Sequence, residues 1–421
     1  MTVRASQLGA LTDALAAVLP FREPADSVLR AFFRHHRRLG QDDRAFIAEG
    51  VFAALRRLAS LRAQAGDATP RRLAIAVTLR ELGASLREIE SALSPAETVW
   101  AREFKAAKPE LSPAEAAELP EWLWEKLSVS LPAGERDALT RAWLTTAPLD
   151  LRVNTIKITR EQAQGELKAS GIESESTPYS PLGLRVAGKP ALQSHLLFTS
   201  GAIEVQDEGS QLLGLLVAPR RNDMVADFCA GAGGKTMLLG ALMRSQGRVY
   251  AFDVSRARLA RFKPRLARSG LSNVQPTLIE NERDTHIKRL AGKLDRVLVD
   301  APCSGFGTLR RNPDLKWRQT AEAIPELAAK QARILAAAAT LVKPGGRLVY
   351  ATCSVLPDEN EAIVDAFVGT HPEFTLGDAA AELKRAGVAL DTGRTLKLST
   401  ARHGCDGFFA AVLERKQGET A

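Results

Sequence analysis

Residues 225–254 read VADFCAGAGGKTMLLGALMRSQGRVYAFDV, and the alternation inside this stretch decides the fold class. A short apolar run ends in Asp227, a glycine-rich turn follows, Leu238 to Met243 returns as apolar helix, and a second apolar run ends in Asp253. Strand, turn, helix, strand is the repeating unit of an open α/β sheet with mainly parallel strands. Such sheets take their ligands beyond the carboxyl ends of the strands. Gly231, Gly233 and Gly234 let the backbone turn tightly and approach a ligand with no Cβ in the way. Asp253, about twenty residues beyond them, is placed to accept hydrogen bonds from a ribose diol. These features predict a nucleoside-containing cofactor held by Cys229, Ala230, Gly231, Ala232, Gly233, Gly234, Lys235 and Asp253. The Gly-Lys-Thr does not make a P-loop, because only Ala232 and Gly233 separate Gly231 from Gly234. Only the first half of the dinucleotide pattern is present. S-adenosylmethionine fits better than a dinucleotide, with a purely structural turn as the remaining alternative.

Two cysteine-bearing segments lie downstream, DAPCSGFGTLRRNPDLKW over 300–317 and VYATCS over 349–354. Each cysteine falls just past the end of an expected strand, so Cys303 and Cys353 belong to the same ligand crevice. The other two are read differently. Cys405 precedes the apolar run FFAAVL and is expected to be a small buried hydrophobe, and Cys229 is either that or a backbone contact to cofactor. The positions 229, 303, 353 and 405 have no C-x-x-C spacing, so no metal site is expected.

DFCAGAGGKT, AFDVSRARL, VLVDAPCSGFGTLRRNPDLKW, KPGGRLVYATCSVLPDENE and GCDGFFAAVL occur in this order. The series resembles the motifs of the RsmB-like (Nop2/Sun) RNA cytosine-5 methyltransferases over about residues 146–416. The resemblance implies a Rossmann-like class I methyltransferase domain using S-adenosyl-L-methionine, with Cys353 as nucleophile and Cys303 assisting release. Cytosine C5 is too weak a nucleophile to take a methyl group directly, so a thiolate must first add to C6. The C5 proton and the C6 sulfur must then leave, and a second thiol suits that acid or base step. Asp300 is expected to hydrogen-bond the edge of a flipped cytosine, and Lys235 to work beside the cofactor; both also count among the cofactor residues. Arg310, Arg311 and Lys316 are expected to lower the pKa of a thiol. Two departures from the family pattern stand out. Gly231 and Ala232 replace the usual alanine and proline of the first motif. In LIEN, Glu280 or Asn281 must stand where the family has an acid near the adenine.

Helical periodicity dominates residues 7–144, with punctuation at Pro20, Pro24, Gly40, Gly66 and Pro70. ADSVLRAFFRHHRRLGQDDRAFIAEGVFAALRRL resembles the NusB-like RNA-binding domain of bacterial ribosomal-RNA members. Between Arg30 and Arg72 about ten basic residues stand against about four acidic ones, a face suited to RNA phosphates or simply to solvent. The expected division is an all-α NusB-like domain over 1–95 and a helical connector over 96–146. A small α+β subdomain over 147–215, the methyltransferase domain over 216–416 and a tail over 417–421 follow. Arg152 and Asn154 of LRVNTIKIT are candidate RNA contacts or structural residues.

The net charge of +8 and pI of about 9.4 fit an anionic partner. Four unpaired-looking cysteines fit a reducing compartment. Neither a signal-peptide pattern nor an apolar run near eighteen residues is seen, so no membrane partner and a cytoplasmic location are expected. The expected partner is RNA, 16S rRNA or a small-subunit assembly intermediate foremost, bound by a monomer. Transfer RNA, a DNA cytosine and a non-catalytic assembly factor are the alternatives.

Overall fold

The structure, a computed structural model, describes residues 3–188 and 190–418, so the last three positions of the expected tail lie outside the described residues. It divides into two compact units. One comprises Met1–Thr146 and Thr308–Ala321, the other Ala147–Gly307 and Glu322–Ala421.

The first unit is all helical. Its longer helices span Ala5–Val18, Ala25–His35, Gln41–Arg56, Pro70–Arg80 and Pro95–Ala106. Proline opens the last two, preceded by Thr69 and Ser94, whose hydroxyls accept from the Arg72 and Glu97 amides. Proline suits the first helical position because its missing N–H would be unpaired there. One face of each helix feeds a core that includes Leu8, Leu11, Ile47, Leu55, Leu73 and Ile75. The contacts group 1–95 with 96–146 rather than separating them, and they add residues 308–321 to the helical unit. Within it Asp314 accepts from the Ala25 amide (3.2 Å), Trp317 Nε1 donates to Leu55 O (2.8 Å) and Lys316 Nζ to Arg56 O (3.0 Å). On the surface, Arg30, Phe33, Arg34, Arg37 and Arg44 line a cleft of about 450 Å³.

The second unit holds two sheets. In the smaller, β1 (Leu149–Val153), β2 (Ser174–Ser176), β3 (Gly183–Val186) and β4 (Ile203–Val205) are ordered β2-β3-β1-β4. The larger comprises β5 (Met224–Asp227), β6 (Arg248–Asp253), β7 (Val274–Leu278), β8 (Leu294–Asp300), β9 (Val342–Thr352), β10 (Phe374–Leu376), β11 (Thr395–Leu398) and β12 (Phe408–Arg415). Its order is β10-β12-β9-β8-β5-β6-β7, with β11 also on β12. Strands β5 to β9 pair in parallel, and β12 runs antiparallel to β9. Apolar residues bury both faces, as parallel sheets require. Chain order reverses between β5 and β8, the place where a doubly wound sheet opens its crevice. The expected Rossmann-like α/β domain is what the chain forms.

Arg152 and Asn154 are both buried in this unit. Arg152 Nε donates to Gln206 (2.6 Å), and Asn154 Nδ2 to Gly201 O and Ser269 O (both 2.9 Å). Their polar groups are committed inside the protein, so the structural reading of this pair applies.

Candidate active site

Strand β5 ends in Asp227 and the turn begins. Gly231 (φ +57°) and Gly233 (φ +81°) both adopt the left-handed backbone that favours glycine. A Cβ at Gly233 would strike the Phe262 ring at 2.0 Å, whereas one at Gly231 would meet nothing within 4 Å. Gly233 is thus required by packing, and Gly231 faces open space. The turn is closed by Ala230 N donating to Phe252 O (2.8 Å), Gly233 N to Ala230 O (2.9 Å) and Arg265 to Ala232 O (2.7 Å). Gly234 starts the helix Gly234–Leu242. The turn therefore forms without the family's proline, held by a bond within itself, one to β6 and one from Arg265 on the helix Arg256–Ser269.

Asp253 at the end of β6 is 4% exposed, and its carboxylate accepts from Gly231 N (2.8 Å) and Ser255 N (2.6 Å). It ties the turn to the next strand, leaving only its remaining lone pairs for a ligand. Ser255, not Asp253, caps the following helix by accepting from the Arg258 amide. Glu280 and Asn281 follow β7 with exposed side chains. Asn281 Oδ1 accepts from Arg283 N (2.8 Å), and the Glu280 amide donates to Asp284 (3.0 Å).

Asp227 was not singled out by the sequence. One oxygen accepts from Thr236 (2.6 Å), while the other is buried with no hydrogen-bond partner. Burial, reinforced by the charge of Asp300, pushes its pKa up to about 7. An orphaned carboxylate oxygen beneath a glycine turn with open space above it fits a ligand bearing a polar or cationic group.

Beside the turn, Lys235 Nζ donates to Asp300 Oδ2 at 2.8 Å. Burial pulls the lysine's pKa down, but the charge and hydrogen bond of Asp300 outweigh it, so the pKa ends raised and the side chain is a fixed cation. Its ammonium also lies 5.6 Å from the Phe408 ring centroid.

Cys303 and Cys353 converge from β8 and β9, their sulfurs 3.4 Å apart, both partly exposed and both free thiols. The hydrogen bond shared with Cys353, then burial, then the charges of Cys353 and Glu359 push the Cys303 pKa well up. Cys303 is therefore held as a protonated thiol. Cys353 is among the groups whose charge raises the Lys235 pKa. The expectation that Lys316 lowers a thiol pKa is corrected: its ammonium is buried in the helical unit, where desolvation lowers its own pKa to about 7 against the pull of Glu118. It is not a dependable positive charge.

Gly407 escaped the sequence reading. Its amide donates to Gly307 O and the Gly307 amide to Cys353 O, both at 2.8 Å. A Cβ on Gly307 would lie 2.0 Å from Gly407 O. The glycine in GCDGFF thus exists for backbone-on-backbone contact behind the Cys353 turn. Cys405 is fully buried in the core, and Cys229 is partly exposed with its thiol pKa raised by burial and then by Asp227. Among the described residues, no group of three His, Cys, Asp or Glu could hold a metal, and no helix is long and apolar enough to cross a membrane.

Residues 214–414 match the family model of the 16S rRNA methyltransferases RsmB/F, and residues 119–193 match that of the RsmF/B-like ferredoxin-like domain. The chain is 34% identical over 307 residues to a probable ribosomal RNA small subunit methyltransferase B of Synechocystis, covering 72% of this chain and 68% of the relative. It is 33% identical to the probable counterpart of Bacillus subtilis, over 70% of this chain and 66% of the relative. Among solved structures, that of PH0851 superposes with a TM-score of 0.81 at 26% identity, covering 99% of this chain and 100% of the other. NSun6 from Pyrococcus horikoshii, solved with SFG, shares the fold at a TM-score of 0.62 and 21% identity, over 70% of this chain and 98% of its own. Motif order, sheet and relatives agree, and the chain belongs to the RsmB/F family of 16S rRNA methyltransferases.

Proposed function

We propose that this protein methylates C5 of a cytosine in RNA, 16S rRNA foremost, through a covalent bond between Cys353 and C6 of the base. The observation that carries the reading is the pair of sulfurs 3.4 Å apart at the carboxyl ends of adjacent parallel strands, beside the Lys235–Asp300 ion pair.

Cys353 Sγ, as thiolate, forms a bond to C6, and the electron pair of the C5–C6 double bond shifts onto C5. S-adenosyl-L-methionine, when bound, supplies the electrophilic methyl group. Cys303, once its own proton has passed to solvent, takes the proton from C5 as thiolate; the C5–H electron pair re-forms the C5–C6 double bond and the C6–S bond breaks, releasing Cys353. Asp300, paired with Lys235 at 2.8 Å, is assigned to the amino and ring-nitrogen edge of the cytosine. The residues that would hold the cofactor are Cys229 to Lys235, Asp253, Asp300 and either Glu280 or Asn281. The open space over Gly231 and the orphaned oxygen of Asp227 fit such a group. The helical unit is read as an RNA-binding, NusB-like domain whose arginine-lined cleft takes phosphate. The protein acts as a cytoplasmic monomer without metal.

The test is transfer of labelled methyl from S-adenosyl-L-methionine to total RNA of a strain lacking this gene. Cys353→Ala is expected to abolish transfer and Cys303→Ala to accumulate a covalent protein–RNA adduct. An adduct formed by Cys353→Ala, or label confined to transfer RNA, overturns the respective part of the reading.

A further inference from the structure

Both cysteines are followed by serine, and the two serines meet. Ser304 and Ser354 are buried with their hydroxyls 3.2 Å apart. Beneath them lies Glu359, fully buried in the short turn Pro357–Glu359 after β9. Its Oε2 accepts from both hydroxyls, Ser304 Oγ and Ser354 Oγ, each at 2.5 Å. Its Oε1 accepts from the Ser304 amide (2.8 Å) and from Gln331 Nε2 (3.0 Å). Gln331 donates in addition to Pro302 O (3.0 Å), and Tyr350 donates to the Glu359 carbonyl (2.6 Å). One carboxylate thus holds the turn after Cys303 at its amide and hydroxyl and the turn after Cys353 at its hydroxyl.

A carboxylate is an unusual choice for such a clamp. The donors just named are neutral, so a negative charge is kept out of water where an amide could have filled the space, and burying a charge is costly unless something needs it. Three of the carboxylate's bonds go to the serines that follow the two cysteines, two of them to Ser304 beside Cys303, and its charge acts on both Cys303 and Tyr350. The titratable and charged groups around the two sulfurs are Tyr350 on β9, Glu359 on its turn, Asp300 at the end of β8 and Lys235 on the helix after the glycine turn. Lys330 on the helix Ala323–Ala339 acts on Cys229. Glu359 raises the cost of a thiolate at Cys303, while the lysine acts on Cys353. The two thiols are alike in sequence context and differ in which charge they meet.

We propose that Glu359 is the positioning residue that sorts the roles of the two thiols, clamping both Cys-Ser turns so that the sulfurs meet and setting its carboxylate under the turn of Cys303, whose following amide and hydroxyl it binds. The inference deepens the two-thiol reading of the site and rests on it. Glu359 touches neither substrate nor cofactor in this role.

The test follows the thiols rather than the product. Full-length wild type and Glu359→Gln are alkylated with iodoacetamide from pH 6 to 10, and modification at Cys303 and Cys353 is quantified separately by peptide mass spectrometry. Glutamine keeps the shape, and its amide can donate to the two hydroxyls once these turn to accept. The expected result is a downward shift of the Cys303 midpoint by on the order of one pH unit, the effect of removing a nearby buried charge. An unchanged Cys303 midpoint in a folded Glu359→Gln protein overturns the charge-sorting role. If Glu359→Gln fails to fold, Ser354→Ala, which deletes one hydroxyl, carries the clamp alone: kcat for RNA methylation is expected to fall roughly 10- to 100-fold with KM for RNA unchanged. Wild-type kcat in that variant overturns the clamp. A wild type that methylates no RNA defeats the proposed function, yet the alkylation midpoints still decide the role of Glu359.

Discussion

Replacing Gly307 with alanine tests whether the backbone contact behind the Cys353 turn is as close as the structure has it. The added Cβ would sit 2.0 Å from Gly407 O and 2.8 Å from Cys353 O. Carbon and oxygen approach to about 3.3 Å even in the weak C–H···O contacts of sheets. The two segments must therefore part by about 1.3 Å (3.3 − 2.0), and both obstacles are backbone atoms that no rotamer change can move. Separation weakens the two 2.8 Å hydrogen bonds, Gly307 to Cys353 O and Gly407 to Gly307 O. At about 0.5–1.5 kcal/mol each, plus about 1–3 kcal/mol for overpacking, the cost comes to about 2–6 kcal/mol. For a unit of this size that lowers the melting temperature by roughly 5–20 °C. The displacement falls on the Cys353 carbonyl, so methyl transfer should drop about 100-fold even at temperatures where the protein is folded. The assay pairs calorimetry with single-turnover methyl transfer, using Gly165→Ala as control. Gly165 lies inside the helix Arg160–Ala169, a Cβ there meets nothing within 4 Å, and alanine should stabilise by about 0.5–1 kcal/mol. A Gly307→Ala protein that melts and transfers like wild type would show that the two motifs are not held by this contact.

Asp227 gives a pH signature. Its folded pKa of about 7 stands above the ordinary 3.8, so its contribution to stability is fully present below about pH 4 and is lost as pH rises through 7. Asp227→Asn should flatten the melting-temperature profile between pH 4 and 7, and parallel profiles for the two proteins would contradict the shift. Cys405→Ala should cost on the order of 1 kcal/mol, leaving methyl transfer at the wild-type rate, since the thiol is fully buried in the core of the second unit. Loss of transfer in the folded variant would give Cys405 a chemical role. The paired substitution Arg34→Ser and Arg37→Ser, read by filter binding of RNA across salt concentrations, should reduce the slope of log K against log salt by about one to two units. An unchanged slope removes this cleft from the RNA path.

The glycine turn and the acids at strand ends could be read from the chain because local backbone demands select their residues: a positive φ at Gly231 and Gly233, an acceptor at Asp253 for the amides of the turn. Tertiary placement left no comparable trace. RRNPDLKW continues the Cys303 motif without interruption, yet Trp317, Asp314 and Lys316 spend their bonds on Leu55, Ala25 and Arg56 in the helical unit. For Arg152 and Asn154 the sequence left RNA contact and a structural role both open, and the partners Gln206, Gly201 and Ser269, distant in the chain, decide for the structural role.

The cysteine pair stands between these cases, and sheet register explains why. Strands β8 and β9 run parallel with Asp300 opposite Ala351, so Cys303, three residues on, and Cys353, two residues on, emerge side by side. Any reading that makes the two strands neighbours brings the sulfurs together. Register alone, however, treats the two thiols as equivalent, and two-step chemistry needs them unequal. The inequality enters from residues outside the ladder. Lys235, anchored by Asp300 beyond the glycine turn, acts on Cys353, while Glu359, on the turn that follows β9, acts on Cys303. A sequence pattern can therefore find the pair, but assigning attacker and proton carrier depends on which buried charge each sulfur meets.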